Sequence, residues 1–257
     1  MPHVQTEGAR IHYRLSGVED GPALVLLNSI GTDMSLWDTC LAPLEKDWRV
    51  LRIDTRGHGQ SDASEGDYTL ALLTHDVLAV MDDAGIVSAH VAGVSLGGMI
   101  AMQMALDHGD RADGLSLICT SATMDASAWQ QRMETVREGG LAAIADMAIA
   151  RFLSPGFIDA NPAKADAMKQ ALLASSATGY VGACAAIRDM NLAERLGRIA
   201  VPTDVITGVL DVSTPYEPHG RFLVERIPAA RHHALESAHL PPIEAPEALL
   251  ALLKPAV

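Results

Sequence analysis

The segment Gly-Val-Ser-Leu-Gly-Gly at 93–98 combines a serine with closely spaced glycines. It stands where a predicted strand, Ala89–Val94, gives way to a predicted helix. In so sharp a turn a side chain at either flanking glycine would collide with neighbouring backbone, and the turn lifts the serine hydroxyl above the sheet edge at a helix N-terminus. The pattern therefore predicts that Ser95 is a nucleophile.

A serine hydroxyl is a poor nucleophile at neutral pH, so it needs a base that accepts its proton and an acid that orients the base. For a serine in a strand-turn-helix, the expected chain order is serine, acid, histidine. Asp211 fits the acid because it follows a late predicted strand in a loop. Among ten histidines, His239 combines a late position with a loop before the final helix. The sequence thus predicts Ser95, Asp211 and His239 as the catalytic residues.

Simpler interpretations of the same residues stay open. Ser95 can be a residue of a glycine-rich turn that has no catalytic role, and His239 can be an ordinary surface histidine. Asp211 can be a helix cap before Thr214-Pro215, because aspartate is common at such sites. Asp204 and Asp189 are then the other candidate acids.

Acyl transfer by a serine also needs two backbone donors for the developing oxyanion. The N–H of Leu96, directly after the nucleophile, is one predicted donor. The loop Asn28–Asp33 is predicted to supply the other through the N–H of Ile30. A second glycine-containing loop at 54–62 includes Arg56, which we interpret as a residue that holds adjacent loops in place.

Short apolar runs bounded by loop signals predict the strands that position these residues. The predicted strands are Ala23–Asn28, Arg49–Asp54, Ala89–Val94, Gly114–Cys119 and Thr203–Thr207. Segments of helical length and period, Leu70 to Ala84 and Leu96 to His108, lie between them. This alternation predicts a mainly parallel α/β sheet, and the alternating residues from Val4 to Gly17 predict an antiparallel hairpin at one edge.

The alternation of strands and helices is interrupted in residues 121–190, which are rich in alanine and contain no strand-like run. We interpret this stretch as an inserted helical cap. Residues 1–120 and 191–257 then form one core domain. In the cap, Trp129, Arg132, Met133 and Val136 share one predicted helical face.

That face is expected to look into the active site, where Arg132 would bind a substrate carboxylate and Trp129 would wall its apolar part. The alternative is that Arg132 pairs with Glu134 or Glu138 on the cap exterior. Arg137 and Arg188 are the next candidates for the carboxylate.

Composition limits the partners of the 257-residue chain, because 19 Lys and Arg against 32 Asp and Glu give a net charge of −13. This charge repels polyanions and argues against nucleic acid and anionic membranes. The three cysteines have no metal-ligand spacing, so we expect packing residues, no metal site and a cytoplasmic protein. A small-molecule partner is expected, and assembly into a homo-oligomer is left open.

The chain resembles the α/β-hydrolase superfamily and, within it, the 3-oxoadipate enol-lactonases of aromatic catabolism. Most relatives carry His-Gly where this chain has Asn28-Ser29, and the Asn-Ser-x-Gly-Thr form is similar to the enol-lactonase branch. Ile30 departs from that branch, which often has leucine there. The segments that carry the resemblance are Asn28–Asp33 with Trp37, Asp54–Gly59, Gly93–Gly98, Thr207–Asp211 and Ala238-His239.

The resemblance implies an α/β-hydrolase fold, with an eight-stranded, mostly parallel sheet, helices on both faces and an inserted cap. It also implies that Ser95 attacks a lactone carbonyl, that His239 takes the serine proton and that Asp211 fixes the imidazole. The amides of Ile30 and Leu96 would hold the oxyanion. No metal, nucleotide or flavin is required, and the substrate would be a small anionic lactone or ester.

Other functions remain compatible with the same motifs. A general carboxylesterase, a perhydrolase or another lactonase would use the same three residues and differ in the cap. A carbon–carbon bond hydrolase of meta-cleavage products is chemically adjacent, because its substrates also carry an enol and a carboxylate. A ligand receptor on a hydrolase scaffold is the alternative outside enzymes. A dehalogenase is disfavoured because Ser95 stands where an aspartate nucleophile would be required.

Overall fold

The computed structural model describes residues 2–255, which form an eight-stranded sheet in the order β1-β2-β4-β3-β5-β6-β7-β8. Strands β1, β2 and β4 pair antiparallel, whereas the pairs from β4 through β3 to β8 are parallel. The strands are β1 (His3–Thr6), β2 (Ala9–Gly17), β3 (Ala23–Leu27), β4 (Arg49–Ile53), β5 (Ala89–Val94), β6 (Ala112–Ile118), β7 (Thr203–Gly208) and β8 (Arg231–Leu235).

Helices cover both faces of the sheet, with α1 packed against α10 and α11 and with α2 packed against α3. Short 3-10 turns lie at Met34–Trp37, Gly109–Arg111, Leu141–Ala143 and Ala193–Arg198. The helices are α1 (Asp38–Leu44), α2 (Leu70–Asp83), α3 (Leu96–Asp107), α4 (Ala126–Gly139), α5 (Ala145–Phe152), α6 (Pro155–Ala160), α7 (Pro162–Leu173), α8 (Ala177–Asp189), α9 (Arg221–Arg226), α10 (Pro241–Glu244) and α11 (Pro246–Leu250).

The apolar runs of the sequence form the central strands. Residues 24–27 of β3 and 50–53 of β4 are all buried, as expected for strands covered on both faces. The edge strand β1 is exposed or half-buried throughout, and β8 is buried only at Leu235. The mainly parallel α/β sheet predicted from the sequence is therefore confirmed, with strand and helix ends displaced by one or two residues.

Two helix predictions in the C-terminal region are wrong in detail. Thr214-Pro215 does not open an α-helix directly, because Glu217 has non-helical backbone angles (φ −95°, ψ 120°) and α9 begins only at Arg221. The final helix is divided into α10 and α11. Pro246 lacks the backbone N–H that a continuous helix would need, so a new helix starts there.

Residues between β6 and β7 contain the five helices α4 to α8, in the stretch that we interpret as a cap. Helix α4 packs against α8, and α8 contacts the core at two of its glycines. A Cβ atom on Gly57 would stand 2.4 Å from the Cα atom of Gly179, so core and cap backbones touch. Tyr68 also donates its N–H to the carbonyl of Gly182. The chain ends that the predicted core includes, residue 1 and residues 256–257, lie outside the described residues.

Within residues 2–255, no single helix has both the length and the apolar character needed to cross a bilayer. Helices α7 and α8, which meet at 94°, satisfy length and composition only as a bent pair. Cys40, Cys119 and Cys184 are free and buried, in agreement with their interpretation as packing residues.

The loop at 54–62 is held by a buried ion pair. The Arg56 guanidinium donates to both carboxylate oxygens of Asp76 at 2.7 Å, and it also donates to Ser64 and Thr6. The side chains of Arg56 and Asp76 are 1% and 5% exposed. Arg56 therefore joins this loop to α2 and to the N-terminal hairpin.

We predict that Arg56→Met lowers the free energy of unfolding by about 3–5 kcal/mol, because it leaves the Asp76 carboxylate buried without its partner. Urea unfolding followed by circular dichroism measures this change. Arg10→Met is the matched control, because Arg10 forms a solvent-exposed pair with Asp62 and its loss is expected to leave the unfolding midpoint unchanged. If both substitutions lowered the free energy of unfolding by the same amount, the buried pair would contribute no more to stability than the exposed pair, which would contradict the prediction.

Candidate active site

Ser95 occupies a sharp turn between β5 and α3, with φ 55° and ψ −114°. The turn closes only because its flanking residues are glycines. A Cβ atom on Gly93 would lie 2.2 Å from the carbonyl carbon of Gly97, and one on Gly97 would lie 2.6 Å from the backbone of Leu27. The predicted strand-turn-helix is present, and Ser95 lies in it between the end of β5 and the start of α3.

Asp211 and His239, the predicted acid and base, are hydrogen-bonded through Oδ2 and Nδ1 at 2.9 Å. Both side chains are buried. Asp211 also accepts hydrogen bonds from the N–H groups of Ser213 and Thr214 and from the Thr214 hydroxyl. Burial raises the pKa of the Asp211 carboxyl, but the charge of His239 and these hydrogen bonds outweigh burial and hold the pKa below its usual value. The carboxylate therefore stays ionised at neutral pH.

The alternative acids are engaged elsewhere. Asp204 accepts hydrogen bonds from Arg231 and His233 on β8, and Asp189 pairs with Arg188. Neither contacts His239. The capping contacts of Asp211 with Ser213 and Thr214 are present, so this carboxylate both closes the turn and contacts the imidazole.

Ser95 and His239 line the same cavity, which has a volume of about 530 Å³. Within the part of the chain that the structure describes, the Ser95 hydroxyl has no hydrogen-bond partner, and its contact with His239 is not formed. Contacts between a nucleophile and its base are often long in unliganded sites and shorten when substrate binds. The arrangement leaves the hydroxyl free to face a ligand in the cavity.

Two candidate backbone donors are the N–H groups of Leu96, which follows the serine in the chain, and of Ile30, which lines the same cavity. Leu96 is the first residue of α3, where a helix leaves its N–H without an intrahelical acceptor. The Ile30 N–H has no intramolecular acceptor within residues 2–255, and Ile30 lines the cavity. The Asn28 side chain fixes this loop, because it accepts from Trp37 Nε1 at 3.1 Å and donates to the Ile53 carbonyl at 2.7 Å.

The cap supplies most of the other cavity walls through α4 and α5. Trp129 and Arg132, the two cap residues predicted to contact substrate, both line the cavity. The Arg132 guanidinium lies 4.5 Å from the centroid of the Trp129 ring and 3.3 Å from the Met147 sulfur. Within the described chain, Arg132 forms no ion pair with an acidic residue of α4.

Arg137 and Arg188, the other cap arginines considered from the sequence, do not line this cavity. Both pair with Asp67 of the core, at 3.6 and 2.8 Å, and Arg188 also pairs with Asp189. The structure therefore makes them unsuitable as carboxylate ligands in the cavity, because their charges are already neutralised at the joint between cap and core.

Sequence reasoning missed Arg151 and Phe152 of α5, which also line the cavity. Arg151 has no acidic partner in the described residues. The Phe152 ring stacks on the His239 ring, with 6.2 Å between centroids and 10° between planes. A sequence feature that could have revealed them is the helical spacing of four residues, which places all four on one side of α5: Met147, Ala148, Arg151 and Phe152.

In the described residues, one group of three side chains could ligate a metal ion. Its members are Cys119, Asp211 and His239, whose ligand atoms lie within 4.8 Å of one another. Burial raises the pKa of the Cys119 thiol well above its usual range. The thiolate is the form that binds metals, so this cluster fits a metal ion poorly. The absence of a metal site stays a prediction.

Comparison with known proteins agrees with the fold. The sequence pattern of the alpha/beta hydrolase fold family matches residues 22–246. The chain belongs to this family.

Within the family, the chain is similar to enol-lactonases along nearly its whole length. It is 35% identical to 3-oxoadipate enol-lactonase 2 of Acinetobacter baylyi, over 93% of this chain and 89% of that protein. It is 33% identical to 3-oxoadipate enol-lactonase 1 of the same organism, over 96% and 92%. The crystal structure of the enol-lactonase from Burkholderia xenovorans LB400 superimposes with a TM-score of 0.95 at 34% identity, covering 98% of this chain and 97% of that one.

We predict that Gly97→Ala lowers the free energy of unfolding by about 1–3 kcal/mol or more, because the added Cβ meets rigid backbone. Gly109→Ala is the matched control, since a Cβ at Gly109 has no neighbour within 4 Å. The control is expected to leave stability unchanged or to raise it by less than about 1 kcal/mol. Urea unfolding of both variants measures the difference, and a Gly97→Ala protein as stable as the wild type would refute the steric argument.

Proposed function

We propose that this protein is a serine hydrolase of carboxylic esters and lactones in which Ser95 is the nucleophile, His239 the base and Asp211 the orienting acid. The observation that carries the proposal is the placement of Ser95 at a glycine-closed turn in the same cavity as the hydrogen-bonded pair of His239 and Asp211. The similarity to enol-lactonases supports the same reaction class.

In the proposed first step, His239 takes the Ser95 proton while the serine oxygen bonds to the carbonyl carbon of the lactone. The carbonyl oxygen becomes an oxyanion, which the N–H groups of Ile30 and Leu96 stabilise by hydrogen bonds that strengthen in the transition state. Asp211 keeps the imidazole in one tautomer and stabilises its charged form.

Collapse of this intermediate breaks the ring C–O bond. The enol oxygen leaves and receives the proton from His239, and the free enol then tautomerises to the ketone. The acyl group remains on Ser95. Water then loses a proton to His239 and attacks the acyl carbon. Collapse of this intermediate breaks the bond to Ser95, which takes the proton from His239, and releases a carboxylic acid that ionises to a carboxylate by losing its proton to solvent. These steps use only the side chains and amides of this chain and water.

We further infer that the substrate is a small lactone with a carboxylate, namely 3-oxoadipate enol-lactone or a close relative. The chain carries a net charge of −13, yet Arg132 and Arg151 line the cavity without an acidic partner in the described residues. A guanidinium in a cavity wall without a carboxylate partner favours an anionic ligand. Arg132 is half-buried in that wall, whereas Arg151 is exposed. Trp129 supplies an apolar wall beside Arg132.

A neutral carboxylic ester is the second candidate substrate. The same serine, histidine and aspartate would cleave it, and the apolar walls of the cavity from Met99, Met124 and Phe152 would hold it. Such a substrate makes no use of Arg132 and Arg151. The two candidates therefore differ in how strongly catalysis depends on the arginines.

We predict that Ser95→Ala lowers kcat on the order of 10⁴-fold or more, and that His239→Ala has a comparable effect, because the residues act as a unit. Asp211→Asn is expected to be somewhat milder. Steady-state hydrolysis of short esters and lactones measures the loss, and circular dichroism checks that each variant is folded. A folded variant with a near-normal rate would remove that residue from the mechanism.

We predict that Arg132→Ala weakens transition-state stabilisation of an anionic lactone by about 1.5–3 kcal/mol, while a neutral ester barely changes. The measurement is kcat/KM for both substrates. Arg137→Ala is the matched control, because Arg137 also belongs to α4 but pairs with Asp67 outside the cavity. Equal losses on both substrates would exclude a carboxylate contact at Arg132 and favour the neutral ester.

A further inference from the structure

The Glu244 carboxylate at the end of α10 joins two parts of the molecule that are distant in sequence. Its Oε1 atom accepts a hydrogen bond from the Ser154 N–H at 2.5 Å, and its Oε2 atom accepts one from the Ala238 N–H at 2.8 Å. Ser154 caps the N-terminus of α6 in the cap, whereas Ala238 belongs to the core. One side chain therefore binds the cap and the core together.

Both contacts lie next to His239. Ala238 immediately precedes His239 in the chain, so its N–H fixes the start of the peptide that carries the imidazole. Ser154 follows Phe152 by two residues, and the Phe152 ring stacks on the His239 ring. The imidazole is therefore positioned both by its own loop and by the ring of Phe152 in the cap. Glu244 accepts hydrogen bonds from the backbone of each of these two segments.

A carboxylate side chain satisfies this arrangement fully. Two N–H donors point at the two oxygens, and a carboxylate offers acceptors at both positions. A glutamine of the same shape offers one acceptor and an NH2 group, which would face a second N–H donor. Hydrogen bonds to a charged acceptor are also shorter and stronger than neutral ones.

We propose that Glu244 is a positioning residue, which ties the loop of His239 to the cap and so sets the imidazole relative to Ser95. This inference rests on the proposed function in one respect, that His239 is the base. Displacement of the cap at Ser154 then moves the imidazole through Glu244 and Phe152. A role confined to folding the loop would instead change stability and leave the position of the imidazole unaltered.

The first test compares Glu244→Gln with Glu247→Gln, a matched control on the exposed side of α11. Three readouts are used: kcat and KM for a short neutral ester, the rate at which a fluorophosphonate labels Ser95, and the downfield proton resonance of the hydrogen bond between His239 and Asp211. A small misplacement of a reacting group costs roughly 10- to 100-fold in rate.

For Glu244→Gln we expect kcat and the labelling rate to fall by about 10- to 100-fold, KM to change by less than about twofold and the resonance to shift or broaden. Glu247→Gln is expected to match the wild type in all three. A Glu244→Gln protein with a lower unfolding midpoint but wild-type kcat, labelling rate and resonance would overturn the proposal.

The second test isolates the contact in the cap. Ser154 has φ −69° and the preceding Leu153 is extended, so Ser154→Pro fits the backbone while removing the N–H that Glu244 accepts. Ser154→Ala removes the same hydroxyl, which caps α6, but keeps the N–H. We expect kcat and labelling to be lower, and the resonance more perturbed, in Ser154→Pro than in Ser154→Ala. Equal values in the two variants would overturn the connection to the cap.

Failure of the proposed function gives a different result from failure of this inference. A wild-type protein that neither hydrolyses esters nor reacts with a fluorophosphonate at Ser95 contradicts the serine mechanism. The resonance of the hydrogen bond between His239 and Asp211 still reports the position of the imidazole in that case. An unperturbed resonance in both Glu244→Gln and Ser154→Pro overturns the role of Glu244, whatever the activity.

Discussion

The turn between β5 and α3 depends on contact between backbone atoms that leaves no room for a side chain. A Cβ on Gly93 would overlap the Gly97 carbonyl carbon, and one on Gly97 would overlap the Leu27 backbone. This contact holds Ser95 at a positive φ, which costs free energy for a residue with a side chain. The surrounding strands stabilise the strained conformation, because Ser95 N–H bonds to Ile118 and Gly97 N–H to Asn28. The hydroxyl and the N-terminus of α3 are consequently fixed together.

The other site groups lie on loops that the same sheet edge brings near the serine. Strand β3 ends beside the turn and leads into the loop of Ile30, and β7 leads into the loop of Asp211. Parallel strands have their carboxyl ends at one edge, which is why residues far apart in the chain meet there. Asn28, Asp211 and Glu244 each fix such a loop with side-chain hydrogen bonds to backbone or to His239. Rigid strands and hydrogen-bonded loops together define the geometry of the site.

The helices between β6 and β7 give the cavity its chemical character. Arg132 of α4 and Arg151 of α5 line it without an acidic partner in residues 2–255, whereas Arg137 and Arg188 pair with Asp67 at the joint with the core. Phe152 and Glu244 connect these helices to His239. In our proposals, these helices contribute both to substrate selection and to the position of the base. Those two contributions come from different side chains and are separable by substitution.

Local sequence determined the strands, the alternating helices and the serine turn, since apolar runs and glycine spacing act over a few residues. Chain order also predicted Asp211 and His239, which the structure places in hydrogen-bond contact. Helical spacing predicted Trp129 and Arg132, which both line the cavity. The sequence did not reveal Arg151, Phe152 or Glu244 as neighbours of the site. Helical spacing placed Arg132 ahead of Arg137 and Arg188, but the sequence did not reveal that these two arginines pair with Asp67. Only the tertiary structure decided these points, because the packing of α4, α5 and α8 on the core determines which charges meet Asp67 and which face the cavity.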